Sequence, residues 1–176
     1  MCGRLAMPGH FSGLIVFAMF GGILRALGRP AGQREQGSMM SDWNSGYISE
    51  LDYTHGYYAE LAPQRLALAL LSKQQAHRRG RPLRYLELGF GQGLSLNIHA
   101  AAAPGEYWGT DFNPAHAANA RDLADASGAG LRVLDDSFEE LARRDDLPEF
   151  DVIALHGIWS WISDANRRVM VEIARR

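Results

Sequence analysis

Leu86-Glu87-Leu88-Gly89-Phe90-Gly91-Gln92-Gly93-Leu94-Ser95 is the stretch on which the fold of this chain turns. It closes an apolar run, Leu83–Leu88, crowds three glycines into five positions, and opens a helical pattern over Leu94–Ala103. Strand, tight turn and helix follow one another without a spacer. Glycine carries no Cβ, so this turn bends sharply and lets a ligand approach the backbone closely. The spacing is G-x-G-x-G, with leucine at 94 and 96, rather than the G-x-G-x-x-G of a dinucleotide site. Glu87, two residues before the first glycine, is a poor neighbour for a pyrophosphate and a good one for a ligand bearing an ammonium group.

Downstream the alternation continues. Glu106–Asp111 reads as a second strand, and Pro114–Ser127 as a helix with Asn113 as N-cap and Gly128 as its stop. Leu131–Leu134 is a third strand, Ser137–Arg144 a short helix, Phe150–His156 a fourth strand and Asp164–Arg176 a last helix. Strands alternating with helices predict an α/β fold, a Rossmann-like doubly wound parallel sheet with right-handed crossovers. Four strands are legible, and the sheet reads as truncated after the fourth strand and the helix that follows it. Residues 83–176 thus form an incomplete core.

Upstream, residues 41–82 read as an N-terminal helical cap. Its helix, Leu61–His77, has Pro63 in the first turn and stops at Arg78-Arg79-Gly80-Arg81-Pro82. Residues 1–40 stand apart. They hold four arginines against Glu35, and enclose the apolar run Phe11–Leu24. Fourteen residues fall short of the about 20 that span a bilayer. Three readings stay open: an upstream extension ahead of a start at Met39-Met40, a membrane-associating segment, or a secretory signal without a clear cleavage site.

Composition narrows the class. The 176 residues are 47% hydrophobic and 22% charged with a net charge of −2, which is globular and carries no electrostatic footprint for nucleic acid. The lone Cys2 excludes an internal disulfide framework and a cysteine metal cluster, and a reducing, cytoplasmic setting follows. The six histidines show no metal-ligand spacing, so no metal is expected.

Candidate binding residues fall at successive strand ends. Asp111, 18 residues after Gly93, stands where doubly wound folds place an acceptor for ribose hydroxyls. Past the third strand, Asp136 and Ser137 are placed to meet an adenine amino group, with Phe138 to stack on it. His156 ends the fourth strand, and either orients an acceptor or takes a proton, or else bonds backbone near the turn. Trp159 and Trp161 either wall an acceptor slot or pack a helix on the sheet.

These residues resemble the class I S-adenosylmethionine-dependent methyltransferases over Leu83–Arg176. Glu87-Leu-Gly89-Phe-Gly91-Gln-Gly93 is similar to their first motif, Gly109-Thr-Asp111-Phe112-Asn-Pro to their ribose-binding strand end, and Asp136-Ser137-Phe138 to their adenine-contacting motif. A second resemblance reaches upstream. Gly46-Tyr47, Tyr53-Thr54-His55-Gly56-Tyr57-Tyr58, Glu60-Leu61-Ala62-Pro63 and Gly157-Ile158-Trp159-Ser160-Trp161-Ile162-Ser163 are similar to bacterial methyltransferases that carry a methyltransferase-regulatory domain. That group includes protein-lysine methyltransferases. The resemblance implies S-adenosylmethionine as cofactor, with Glu87, Gly89, Gly91, Gly93, Asp111, Phe112, Asp136, Ser137 and Phe138 as its binding residues. It further implies a lid or substrate wall from Tyr53, Tyr57, Tyr58 and Trp159, and a protein lysine or another amine or carboxyl as acceptor. The alternative for the tyrosines is a helix packed on the sheet edge.

Two other functions compete. One is a truncated, non-catalytic module that binds the cofactor or a partner, and the other is an NAD-dependent oxidoreductase, which the glycine spacing and Glu87 disfavour. The expected partner is the methyl acceptor, with no nucleic acid, and membrane contact confined to residues 11–24.

Overall fold

The computed structural model describes residues 14–18 (as backbone), 55–72 and 82–176. Five strands make one sheet in the order β1-β5-β2-β3-β4, and every neighbouring pair is parallel. They are β1 (Leu14–Ala18), β2 (Leu83–Leu88), β3 (Gly105–Thr110), β4 (Leu131–Leu134) and β5 (Val152–His156). The helices are α1 (Pro63–Ser72), α2 (Leu94–Ala102), α3 (Pro114–Ser127), α4 (Phe138–Arg143) and α5 (Asp164–Arg175). The Rossmann-like, all-parallel architecture read from the alternation is thus the one observed.

Its strand count differs by one. The centre of the apolar run Phe11–Leu24 lies along the sheet edge as β1, from Leu14 opposite Val152 to Ala18 opposite His156. A short apolar run of this kind has no periodicity of its own, so composition alone does not separate a buried strand from a membrane or signal segment.

Alternation along each strand divides the interior in two. On β2, Leu86 and Leu88 enter a cluster with Trp108 of β3, Ile153 and Leu155 of β5, Phe138 and Leu141 of α4, and Met170 and Ile173 of α5. The other face of the sheet takes Tyr85, Tyr107, Val152 and Ala154, covered by Leu96 of α2, Ala117 and Ala120 of α3, and Leu61 and Leu66 from the amino-terminal side. The helices therefore lie on both faces, as a doubly wound sheet requires. The chain runs outward from β2 to β3 and β4, then returns to place β5 on the other side of β2. The carboxyl ends of β2 and β5 flank this reversal, which is where open α/β sheets bind their ligands. At the opposite end, Arg84 N donates to Asp151 Oδ2 (2.9 Å) and Asp151 N to Arg84 O (2.8 Å), pinning β2 to the chain entering β5.

Candidate functional site

The glycine turn is a left-handed backbone three times over. Gly89, Gly91 and Gly93 have φ of 67°, 60° and 75°, a region that side chains with a Cβ avoid. Gly93 is also a close-packing position, because a Cβ there would stand 2.5 Å from that of Ala120. Side chains from two helices fasten the loop. Asn97 Nδ2 donates to both Gly93 O and Ala120 O at 3.0 Å, and Asn119 Nδ2 donates to Gln92 O at 2.8 Å. Asn97, one helical turn after Gly93, supports the loop and was not singled out from the sequence; its signal is that i, i+4 spacing.

Asp111 joins the loop to the next strand end. Its Oδ2 accepts from Gly91 N (2.9 Å), and its Oδ1 accepts from Asn113 N (3.0 Å) and lies 3.1 Å from His116 Nδ1. The carboxylate is buried and held on three sides, yet each oxygen accepts two bonds or more, so Oδ2 keeps capacity for a hydroxyl. An acceptor-only group fixed against an open glycine turn suits the hydroxyls of a ribose, and in this respect the residues fit an adenosyl ligand. Phe112 follows it, half-buried.

The third strand end departs from expectation. Phe138 is the first residue of α4 and lies 3% exposed in the apolar core, so its ring is a core element and not a platform for adenine. Ser137 is committed as well. Its Oγ donates to Glu140 Oε2 (2.8 Å) and accepts from Glu140 N (3.2 Å), which is a capping box. Asp136 stays half-buried at the strand end, with Arg144 Nη1 at 2.9 Å and its backbone oxygen accepting from Thr110 Oγ1 at 2.6 Å. Of the three, Asp136 alone remains placed for a ligand.

A strap from the amino-terminal side crosses the carboxyl ends of the sheet. Tyr58 N donates to the Oγ of Ser95 at the start of α2 (2.7 Å), and that hydroxyl donates to Gly56 O in the strap (3.0 Å). The strap then forms a 3₁₀ turn, Ala59–Leu61. Tyr58 stacks on His156 with ring centroids 3.8 Å apart, and Glu60 Oε1 stands 3.1 Å from His156 Nε2. Burial pushes the His156 imidazole below its usual pKa, and Glu60 pushes it back up. Tyr58 and His156 are thus brought together, while Tyr57 is half exposed and meets His99 edge-on at 5.6 Å. Tyr53 lies outside the described residues. Trp159 packs against the apolar cluster with Arg167 above its ring, whereas Trp161 is exposed. Glu60 and Ser95 went unrecognised as site residues, since nothing in local spacing shows that residues 60 and 156 meet.

Glu87 is the surprise of the site. Expected as a charged partner for an ammonium group, it is 2% exposed, and burial pushes its carboxyl up to about 8. Burial thus favours its protonated form, against the pull of a hydrogen bond from Tyr85. Beside Glu87 the same face of the sheet buries Tyr85, Tyr107 and His99, with the hydroxyl of Tyr107 and both ring nitrogens of His99 lacking hydrogen-bond partners.

Comparison with known proteins agrees with this geometry. Residues 86–176, more than half of the chain, match the family described as a methyltransferase domain. An uncharacterized protein, sll1526 of Synechocystis sp., is 43% identical over 137 residues, which are 76% of this chain and 27% of that protein. PKMT2 from Rickettsia typhi, solved in complex with AdoHcy, shares the fold at 18% identity and a TM-score of 0.61, over 69% of this chain and 23% of that one. The chain spans about a quarter of the length of these relatives. It belongs to the methyltransferase domain family.

Proposed function

We propose that this chain is the cofactor-binding part of a methyltransferase that acts on an amine or carboxyl acceptor, a protein lysine first among them. The observation that carries the reading is the bond from Gly91 N to Asp111 Oδ2, which welds the glycine turn to the carboxylate at the next strand end. S-adenosylmethionine, when bound, supplies a methyl group made electrophilic by its sulfonium.

The chain's own residues do the rest. The glycine turn admits the ligand against the backbone, Asp111 orients ribose hydroxyls, and Asp136 faces the adenine end. The strap of Tyr57 and Tyr58 excludes water from the carboxyl ends of β2 and β5, and much of the acceleration in a displacement comes from holding the reactants in line. His156 takes the proton of the acceptor, with Glu60 steadying the imidazole at Nε2. An acceptor that arrives as an ammonium needs such a group, which favours an amine over a carboxylate.

Among the described residues no helix is long and apolar enough to cross a membrane. A cytoplasmic setting and a protein partner without nucleic acid belong to the same proposal, supported by Cys2 standing alone and by the near-neutral charge. Calorimetric titration of S-adenosylhomocysteine tests the reading. We expect Asp111→Ala to weaken binding by about tenfold or more, the loss of one to two charge-assisted hydrogen bonds. Absence of binding by a chain that melts cooperatively would overturn it. The chain spans about a quarter of its relatives' length. Binding without transfer to a lysine peptide would accordingly favour a cofactor-binding module that needs the remainder for turnover.

A further inference from the structure

Glu87 and a backbone carbonyl share the one hydroxyl proton of Tyr85, and both contacts are hydrogen bonds at once only when Glu87 carries a proton of its own. Glu87 Oε2 lies 3.4 Å from the hydroxyl of Tyr85, and that hydroxyl lies 3.3 Å from the backbone oxygen of Leu61 in the strap. Tyr85 owns a single proton. Donated to Leu61 O, it leaves the tyrosine oxygen to accept, and Glu87 must then be the donor. A protonated carboxyl therefore completes a one-way relay from Glu87 to Tyr85 to the strap, and an ionised one breaks it by claiming the tyrosine proton for itself.

The surroundings agree. On this face stand Tyr85 on its own strand, Tyr107 on β3, His99 on α2, His156 on β5 and Glu60 on the strap. His99 is held neutral by burial, and Glu60 is the charged group that faces His156. Among the described residues no cation stands beside Glu87, and an isolated carboxylate buried without one takes up a proton instead. By contrast Asp111 and Asp136, the other acids of the site, each have donors within 3.0 Å.

We propose that Glu87 is a proton switch for the amino end of the cofactor: a neutral acid without ligand, it releases its proton to solvent as the ligand's ammonium group arrives beside it. The inference rests on the S-adenosylmethionine reading of the site. The step balances, since the carboxylic acid loses one proton to water, no covalent bond of the ligand changes, and a carboxylate–ammonium pair replaces a buried neutral acid. Tyr85 then turns its proton to Glu87 and frees Leu61 O, so arrival of the amino end is felt by the strap.

The test is calorimetry of S-adenosylhomocysteine in buffers of different ionisation enthalpy, with 5′-methylthioadenosine, which lacks the amino end, as control ligand. Near pH 7 the amino-bearing ligand is expected to release about one proton and the control none. Affinity for S-adenosylhomocysteine should climb with pH between about 6 and 8, by at most about tenfold per unit, because the free protein holds the proton that the complex gives up. Glu87→Gln should release no proton and show a flat profile over the same range. Should that variant fail to melt cooperatively, the two ligands on the natural chain still decide. Equal release with both ligands, release with neither, or a pH profile that survives in Glu87→Gln and so belongs to His116 or His156, overturns the switch. Failure of both ligands to bind a folded chain overturns instead the cofactor reading beneath it.

Discussion

The two faces of one sheet were built to different rules. Successive residues of β2 send Leu86 and Leu88 into a core made of leucine, isoleucine, tryptophan, phenylalanine and methionine. They send Tyr85 and Glu87 to the other side, where Tyr107 and His99 are also buried. The first face gains from every atom it removes from water, at about 25 cal/mol per Å² of apolar surface. The second gives up part of that gain, because an unpartnered imidazole at His99 and an unpartnered hydroxyl at Tyr107 each lose solvation that nothing nearby replaces. The glycine turn and the strap lie on this second face. The proposed site thus occupies the side of the sheet on which the fold is least optimised, in keeping with titratable groups of perturbed pKa gathering at functional sites.

The sharpest way to break this contrast is at Gly93. An added Cβ would stand 2.5 Å from Ala120 Cβ and 3.2 Å from Ala120 Cα, on a residue at φ +75°. Strain of the left-handed backbone and overpacking of α3 together give an expected loss of roughly 2–5 kcal/mol for Gly93→Ala. Cofactor binding should fall with it. Gly128→Ala is the matched control, with a similar φ of +66° and nothing within 4 Å, and should lose only about 1 kcal/mol. Urea unfolding of the pair separates close packing of the turn from mere backbone strain, and equal losses would show that the turn is not packed against α3.

On the oily face the expected effect is large but chemically plain. Leu88, 1% exposed, should lose about 2–5 kcal/mol when cut to alanine, through lost burial and the cavity left behind. Because the side chains that Leu88 packs with in that cluster are apolar, the loss should be the same at pH 6 and pH 8. A loss that changes with pH would mean that the two faces are coupled through β2.

Much of this division is written in Tyr85–Leu88 itself, where an aromatic and an acidic residue alternate with leucines, and the glycine turn marks the end of the strand and the start of α2. Asp111 was legible for the same reason, since a strand end at a fixed distance from the turn is a local feature. The features that escaped are of two kinds. Glu60 and His156 lie far apart in sequence and meet only because the strap crosses β5, which no periodicity encodes. Likewise β1 pairs with β5, the last strand in sequence, so its apolar run carried no sign of its partner. The second kind is local and was open to inference. Ser137-Phe138-Glu139-Glu140 has the spacing of a capping box, and that spacing by itself commits the serine to a helix start and turns the phenylalanine inward.

The smallest effect bears most directly on the polar face. His99 is 1% exposed with neither ring nitrogen bonded, and burial alone pushes its pKa down to about 4. The folded chain therefore binds this proton less readily than the unfolded one, whose histidine keeps a pKa near 6.5. Stability is fully present above the unfolded value and is lost as pH falls from there toward 4. Replacing the imidazole by the ring of His99→Phe removes both unsatisfied nitrogens while filling much the same space. At pH 7 the variant should equal the natural chain or exceed it by about 1 kcal/mol, since an unmade hydrogen bond is no loss. At pH 5 its advantage should widen, because phenylalanine has no proton to take up on unfolding. Urea midpoints at the two values measure this directly. An advantage that stays constant with pH would mean that His99 finds a partner in solution, and the polar face would then be less strained than its geometry makes it.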